Sequence, residues 1–428
     1  MLDNIGISLL GAGNVGSSVM NTLLKDSKRF QVLIGTNLKL QKVLVRDLNK
    51  YRKIFKYSSF TDNFSDILND SKTQIVVEML GGEDPAYIYI EELLKSGKHV
   101  VTANKDVMAK YGSKLITLAE QNKVSIRYEA SVGGGIPIIG PLSRDLLANE
   151  IYSISAIING TTNYMLTVMN KEKISYDEAL LRAQNLGYAE PNPYNDVEGI
   201  DVSYKLAILC GLAFHADVNP ANIYCEGISG LDLKDLEYAN NLGFTIKLLA
   251  RAELKEGKIV CIICPSLISN NAPLSKVDGV LNAIQLKGSL VGEVVFEGPG
   301  AGASPTSSAI LGDVIDIAKN IKYELTEPTN NLLNKIEVSD ISSFNSRYYI
   351  RLNVSDESGV LAAISGIMSK YSISIASVIQ TEADLKLKTA QLILTTHEAK
   401  REKIDLAMEE ISKEGKVVKI CNLLPIVD

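Results

Sequence analysis

Ile5-Gly6-Ile7-Ser8-Leu9-Leu10-Gly11-Ala12-Gly13-Asn14-Val15-Gly16 decides the fold of the first part of the chain. An apolar strand runs straight into G-x-G-x-x-G, and a helical pattern follows to about Lys25. That context gives the glycines their meaning. The first permits a tight turn, the second lets backbone approach a pyrophosphate, and the third lets helix pack on strand. The helix N-terminus then offers unpaired N–H groups to the phosphates. Gly11, Ala12, Gly13, Asn14, Val15 and Gly16 are therefore the candidate dinucleotide-binding residues. The next strand ends Val45-Arg46-Asp47. An arginine there suits the 2′-phosphate of NADP, whereas an acidic residue holds the ribose 2′-hydroxyl of NAD. Arg46 favours NADP, and Asp47 leaves NAD open.

Outward from this stretch, strands are expected at 42–46, 74–79 and 98–102, with a helix over 85–96. Such alternation predicts a parallel sheet with crossover helices, a Rossmann-type domain over residues 1–128. From 129 to 325, glycine-rich turns separate helices from longer strands, and a central α+β domain is expected. Residues 326–345 are polar, contain Pro328 and read as a linker. Residues 346–428 hold a complete pattern of their own: strand 347–354, helix 358–370, strands 373–380 and 388–396, helix 398–413, strand 416–421. That β-α-β-β-α-β order is ferredoxin-like. The chain is α/β overall, and 428 residues fit about three domains.

Composition narrows the function. Hydrophobic residues make up 46% and charged residues 22%, so each domain can bury a core. A net charge of -6 and the absence of tryptophan disfavour a nucleic-acid binder. No window supplies the ~20 apolar residues of a spanning helix. No basic region precedes an apolar stretch at the N-terminus, and a cytoplasmic protein is expected. Five cysteines do not make a disulfide framework. Cys261 and Cys264 form one C-x-x-C, but within a strand pattern and without a second pair. They read as buried strand cysteines rather than as a zinc or redox motif. With three histidines in the chain, acid–base chemistry falls to lysine or carboxylates.

Between Gly199 and Phe214 the only charged residues are Asp201 and Lys205. A helix that is apolar nearly all round is buried, and the i, i+4 spacing puts both charges on one face. Burying them costs several kcal/mol each before pairing. The pair reads as chemistry in a pocket, with a structural ion pair as the alternative. Upstream, Gly187-Tyr188-Ala189-Glu190-Pro191 and Asp196 place carboxylates in a loop that could hold an ammonium group or simply face water.

Further segments are Val101-Thr-Ala-Asn-Lys105, Glu129-Ala-Ser-Val-Gly-Gly-Gly-Ile-Pro137, Asn159-Gly-Thr-Thr-Asn-Tyr164 and Gly298-Pro-Gly-Ala-Gly302. With the motifs above and Asp196-Val-Glu-Gly-Ile-Asp-Val-Ser-Tyr-Lys205, their order resembles homoserine dehydrogenase over nearly the whole chain. The tail resembles an ACT domain. The resemblance implies NAD(P)H-dependent, reversible reduction of L-aspartate 4-semialdehyde to L-homoserine, a step toward threonine, methionine and isoleucine. It implies that Lys205 protonates the forming alkoxide, while Asp201 orients Lys205 and helps bind substrate. Lys105 is a second candidate donor or oxyanion stabiliser, and a cofactor-binding candidate. Apolar surroundings lower a lysine pKa, and Asp201 opposes that shift. Glu190 would hold the substrate ammonium with Asp196 close by, and Gly160, Thr161 and Tyr188 would face the substrate. Gly187 and Gly302 would lie near the cofactor. Glu129 and the carbonyls of Val132, Gly134 and Ile136 would bind a monovalent cation, with sodium suited to hard oxygen ligands. A plain structural glycine loop is the alternative.

In the tail, Asp356-Glu-Ser-Gly359-Val360-Leu361 turns a strand into a helix. In ACT domains such a turn receives an amino acid, so Asp356, Gly359, Val360 and Leu361 are effector candidates, with threonine the natural end product. Asp356 as a mere helix cap is the alternative. Feedback requires the effector to bind the less active state more tightly. Family members dimerise through the central domain, and a homodimer or homotetramer is expected. Two alternatives remain: a catalytically silent amino-acid-sensing ACT protein with a Rossmann scaffold, and a dehydrogenase for another amino-acid carbonyl. The intact Lys105, Glu190, Asp201 and Lys205 weigh against the first.

Overall fold

Ile5, Ile7, Leu9 and Leu10 are each buried, which places β1 (Asn4–Leu10) inside a sheet covered on both faces. The computed structural model describes residues 4–54, 59–325, 336, 338–380 and 388–427. Around β1 lie β2 (Asn37–Leu44), β3 (Phe60–Thr61), β4 (Ile75–Glu78), β5 (His99–Thr102) and β6 (Ile126–Arg127). All pair in parallel, in the order β3-β2-β1-β4-β5-β6. The order reverses between β1 and β4, and a ligand crevice opens outside the strand ends at that point. The helices of this domain are α1 (Asn14–Lys25), α2 (Ser27–Ile34), α3 (Leu48–Ile54), α4 (Ser65–Leu68), α5 (Ala86–Lys95) and α6 (Lys105–Gln121).

The second strand departs from the expected 42–46. It begins at Asn37, after the unexpected α2, and ends at Leu44. Leu38 and Leu40 alternate with polar residues, so only the apolar end of the strand stood out as a run.

The central elements are β7 (Ile151–Ile157), α7 (Gly160–Glu172), α8 (Tyr176–Asn185), α9 (Tyr194–Val197), α10 (Ile200–Ala213), β8 (Tyr224–Cys225), α11 (Leu233–Asn241), β9 (Phe244–Lys255), β10 (Lys258–Ser269), β11 (Leu281–Gly288), β12 (Gly292–Pro299) and α12 (Ala303–Tyr323). The tail holds β13 (Asn345–Ser355), α13 (Val360–Lys370), β14 (Ile375–Gln380), β15 (Thr389–Thr396), β16 (Ala399–Lys400), α14 (Arg401–Ser412) and β17 (Val417–Val427). Leaving aside the two-residue β16, the tail keeps the β-α-β-β-α-β order. Central and tail strands form one sheet in the order β12-β11-β7-β9-β10-β17-β13-β15-β14.

Three further expectations change. The last strand does not stop at 421: β17 continues past its pairing with β13, and Ile426 and Val427 join β10 in parallel opposite Leu267 and Ile268. Asn422 and Pro425 hid this, because neither marks a central strand. Helix α12 was expected with the central domain. Its Ile310, Leu311, Val314, Ile317 and Ala318 instead share one apolar cluster with Ile5, Ile7 and Leu9. Of the stretch 326–345, residues 326–335 and 337 lie outside the described residues. Beyond them Val338 bridges Ile259, and Phe344 is buried against Ile262 and Cys264. That part covers β10. Cys261 and Cys264 are buried strand residues. Among the described residues no helix is long and apolar enough to cross a membrane.

Candidate active site between the two sheets

Gly199, at φ +78, opens α10 and places Asp201 and Lys205 one turn apart on its buried face. Their side chains are 7% and 14% exposed. Nζ of Lys205 donates to Asp201 Oδ2 at 2.6 Å and to the Ile158 carbonyl at 2.8 Å. The other Asp201 oxygen pairs with Lys105, which comes from the nucleotide domain as the first residue of α6. Asn104 fixes that helix start, its side chain accepting the Val107 N–H at 3.2 Å. One buried carboxylate thus holds two ammonium groups, one from each side of the cleft.

Asn159, the N-cap of α7, completes the centre. Its amide donates to Asp196 at 2.7 Å and to Asp201 at 3.0 Å, while its oxygen accepts the Thr162 N–H at 2.9 Å. Sequence reasoning quoted Asn159 and Asn104 within motifs but gave neither a role. An Asn directly before a helical stretch was the available signal.

Burial alone would raise the Asp201 pKa, but the charges of Lys205 and Lys105 outweigh it and hold the carboxyl well below its usual range. Burial draws Lys105 down, and Asp201, Asp106 and Asp196 more than reverse this, so its pKa is raised. Asp196 is shifted up, chiefly by burial, against the lowering effect of Asn159. An ammonium has three donors. Lys205 uses two on Asp201 and Ile158, which leaves one for a ligand.

Around this centre Thr161 donates to the Tyr188 carbonyl at 2.6 Å, and the Tyr188 ring meets Tyr164 edge-on at 5.1 Å. A side chain at Gly160 would begin 3.1 Å from the Val280 carbonyl, a tight contact. Glu190 is exposed on the same loop. Gly187 bonds back to Gln184 and closes α8.

The nucleotide loop fits a dinucleotide. Gly11 sits at φ +100, and a side chain at Gly16 would begin 2.3 Å from the Gly11 carbonyl. Gly13 faces open space, and α1 has no side-chain cap, so its N–H groups are free for a pyrophosphate. Gly302, at φ +117, starts α12 beside this loop, with Ser307 reaching the Val15 carbonyl at 3.5 Å. Arg46 is exposed just past β2. Asp47 is engaged, its carboxylate accepting the Lys50 N–H at 3.0 Å.

The expected cation loop carries its own hydrogen bonds. The Glu129 carboxylate accepts the N–H groups of Ile138 at 2.6 Å, Ile139 at 2.9 Å and Gly140 at 2.6 Å, so it is committed to backbone. The carbonyls of Val132, Gly134 and Ile136 accept no backbone N–H among the described residues. Oxygen donors of both kinds, carbonyl and carboxylate, suit a hard monovalent cation. In the tail, Gly359 at φ +88 caps α13, which has no side-chain cap, so Asp356 is not its cap. Val360 is buried, Leu361 is exposed, and Lys416 donates to the Ser358 carbonyl at 3.1 Å.

A phosphate-binding loop at the switch point of a parallel sheet, in a domain whose Lys105 reaches a buried lysine–aspartate centre, defines a nicotinamide-dependent dehydrogenase. Residues 137–315 match the homoserine dehydrogenase family, 11–129 the homoserine dehydrogenase NAD-binding domain, and 348–416 the ACT domain. The homoserine dehydrogenase of Bacillus subtilis is 36% identical over 92% of this chain and 91% of its own length. A crystal structure of the Thiobacillus denitrificans homoserine dehydrogenase superposes with a TM-score of 0.94 at 34% identity, covering 99% of this chain and 98% of that one. A hyperthermophilic archaeal homoserine dehydrogenase solved with NADPH has a TM-score of 0.63 at 28% identity, covering 77% of this chain and 100% of that one. The chain belongs to the homoserine dehydrogenase family. It is an oxidoreductase, and the silent-sensor alternative falls.

Proposed function

We propose that this enzyme interconverts L-aspartate 4-semialdehyde and L-homoserine, with Lys205 as the acid that protonates the forming alkoxide. The carrying observation is the third N–H of Lys205, left over after Asp201 and Ile158 take two. When bound, the reduced nicotinamide supplies the hydride for the aldehyde carbon. Asp201 holds the Lys205 ammonium in place. Lys105, 36% exposed, stabilises negative charge on the substrate oxygen from the other side. Asp196 and the exposed Glu190 take the substrate ammonium, with Thr161, Gly160 and Tyr188 shaping the turn. In the reverse direction Lys205 accepts the hydroxyl proton.

NADP is the preferred cofactor in this reading. Arg46 is exposed where the 2′-phosphate would lie, Asp47 is occupied as a cap, and the archaeal relative was solved with NADPH. A monovalent cation such as sodium is held by Glu129 and the carbonyls of Val132, Gly134 and Ile136. The loop bearing them packs on the loop before α12: a side chain at Gly134 would begin 2.3 Å from the Gly300 carbonyl. Threonine binds at the Asp356–Leu361 turn and restrains activity, in a homodimer or homotetramer.

The test is oxidation of L-homoserine at alkaline pH, followed by absorbance of reduced cofactor, with NADP and then NAD, each with and without threonine. Faster reduction with NADP and inhibition by threonine are expected. Absence of reduction by folded, cofactor-bound protein overturns the substrate assignment. Equal rates with both cofactors overturn the role of Arg46, and indifference to threonine that of the tail.

A further inference from the structure

A second buried carboxylate stands at the strand ends that border the same crevice and takes no part in the chemistry above. Glu78 is the last residue of β4, is 0% exposed, and has no lysine or arginine partner among the described residues. Its Oε1 accepts the Leu80 N–H at 2.6 Å and its Oε2 the Thr102 hydroxyl at 2.5 Å. Thr102 Oγ1 itself accepts the Asn104 N–H at 3.0 Å. The Asn104 side chain and the Gly81 N–H also act on Glu78 as hydrogen-bond donors, and donation from all sides favours an ionised carboxylate. A buried anion without a cation is costly, and burial pushes the Glu78 pKa up. The fold holds an acid where it lacks a counter-charge.

Its position says what the counter-charge is. Leu10, Glu78 and Thr102 lie side by side at the carboxyl ends of β1, β4 and β5. The Met79 N–H bonds to the Leu10 carbonyl at 3.0 Å, and a side chain at Gly11 would begin 3.0 Å from the Met79 carbonyl. In a sheet of this order one mononucleotide half lies over β2 and the other across the switch point. With Arg46 at the end of β2 serving the adenosine half, the nicotinamide half lies over β4 and β5. That ring is neutral when reduced and carries a positive charge when oxidised.

We propose that Glu78 is the built-in counter-charge of the oxidised nicotinamide, favouring the cationic ring over the neutral one in this crevice. The proposal rests on the nicotinamide cofactor occupying the Gly11–Gly16 loop. It gives Glu78 a role in hydride donation without contact to substrate: the carboxylate steadies the charge that appears on the ring as hydride leaves. Through Thr102 and Asn104 the same carboxylate also braces the start of α6, where Lys105 begins.

The test is equilibrium binding of NADP+ and of NADPH to the full-length wild type, Glu78→Gln and Glu78→Asp, by calorimetry and by NADPH fluorescence. Glu78→Gln is expected to weaken NADP+ about tenfold and NADPH less than about twofold, as for loss of one charge at short range. Glu78→Asp keeps the charge and is expected to keep the wild-type ratio of the two affinities within about threefold. A role confined to shaping the loop would weaken both cofactors alike in Glu78→Gln, and that result overturns the proposal. Should Glu78→Gln not fold, Glu78→Asp decides: loss of the wild-type ratio there overturns it. Failure of the wild type to bind either cofactor would sink the proposal together with the cofactor reading beneath it, and is told apart because no substitution is involved.

Discussion

Two aspartates in this protein lie buried beside cations, one in the cleft and one at the junction with the tail. Asp235, in the first turn of α11, is 0% exposed and receives Arg351 Nε at 2.6 Å and Nη2 at 2.9 Å. Tyr349, Asn422 and the Asp232 N–H donate to it as well. Arg351, Tyr349 and Asn422 come from β13 and β17, so this cluster pins the tail to the central domain. Asp201 is buried nearly as deeply, yet its charged partners are two lysines, and one keeps a free donor. A guanidinium is a rigid fork that stays charged, whereas a lysine is a mobile point charge that can give up its proton. The junction consumes its donors in holding two domains together. The cleft leaves one donor pointed at whatever enters.

The contrast breaks most sharply at Lys205. Lys205→Ala is expected to lower kcat by about a thousandfold, within the range for loss of a positioned acid. Its melting temperature and NADPH affinity should stay near wild type, because Asp201 keeps Lys105 and Asn159. Near-normal turnover in that variant would remove Lys205 from the mechanism.

Asp235→Ala should reverse the pattern. It leaves Arg351 buried without its carboxylate, a loss of about 3–5 kcal/mol. Melting is expected to fall well below wild type, while turnover per folded molecule at low temperature is largely kept. A normal melting curve would show that the junction charge is dispensable and would erase the contrast with Asp201. Asn422→Ala sharpens the same point on a smaller scale. Its Nδ2 donates to the Gly230 carbonyl at 3.2 Å and to Asp235. About 1 kcal/mol is expected to be lost, with unchanged KM for homoserine. A stability change indistinguishable from zero would place the weight of the cluster on Arg351 alone.

These two clusters were unequally legible in the sequence. Asp201 and Lys205 stood out because they interrupt an apolar helix at i, i+4, a local signal. Lys105 is 96 positions from Asp201 and entered only through the family resemblance. Asp235 sits in Leu231-Asp-Leu-Lys-Asp-Leu-Glu237, an ordinary capped helix start, and does form a capping box with Asp232. Arg351 looked like one more strand residue 116 positions away, and no local pattern joins the two. The Rossmann sheet was readable from its glycine loop and apolar strands. The return of α12 to that sheet, and of β17 to β10, depended on tertiary packing that a periodicity does not encode.

The smallest effect expected is one of pH, and it separates the cleft from the junction by charge state. Burial raises the Asp196 pKa above its ordinary 3.8. Only the ionised form attracts a substrate ammonium. As pH falls from neutral into acid, Asp196 therefore takes up its proton earlier than a surface aspartate would, and KM for homoserine rises before the fold is lost. Above that pKa the carboxylate is charged and KM is flat in this group. In Asp196→Asn the amide carries no charge at any pH, so KM is expected to be raised by a few-fold throughout and to lose this acid limb. Kinetics across that range, with melting recorded at each pH, decide the matter. An acid limb that persists unchanged in Asp196→Asn would assign it to Glu190, the exposed carboxylate on the same loop.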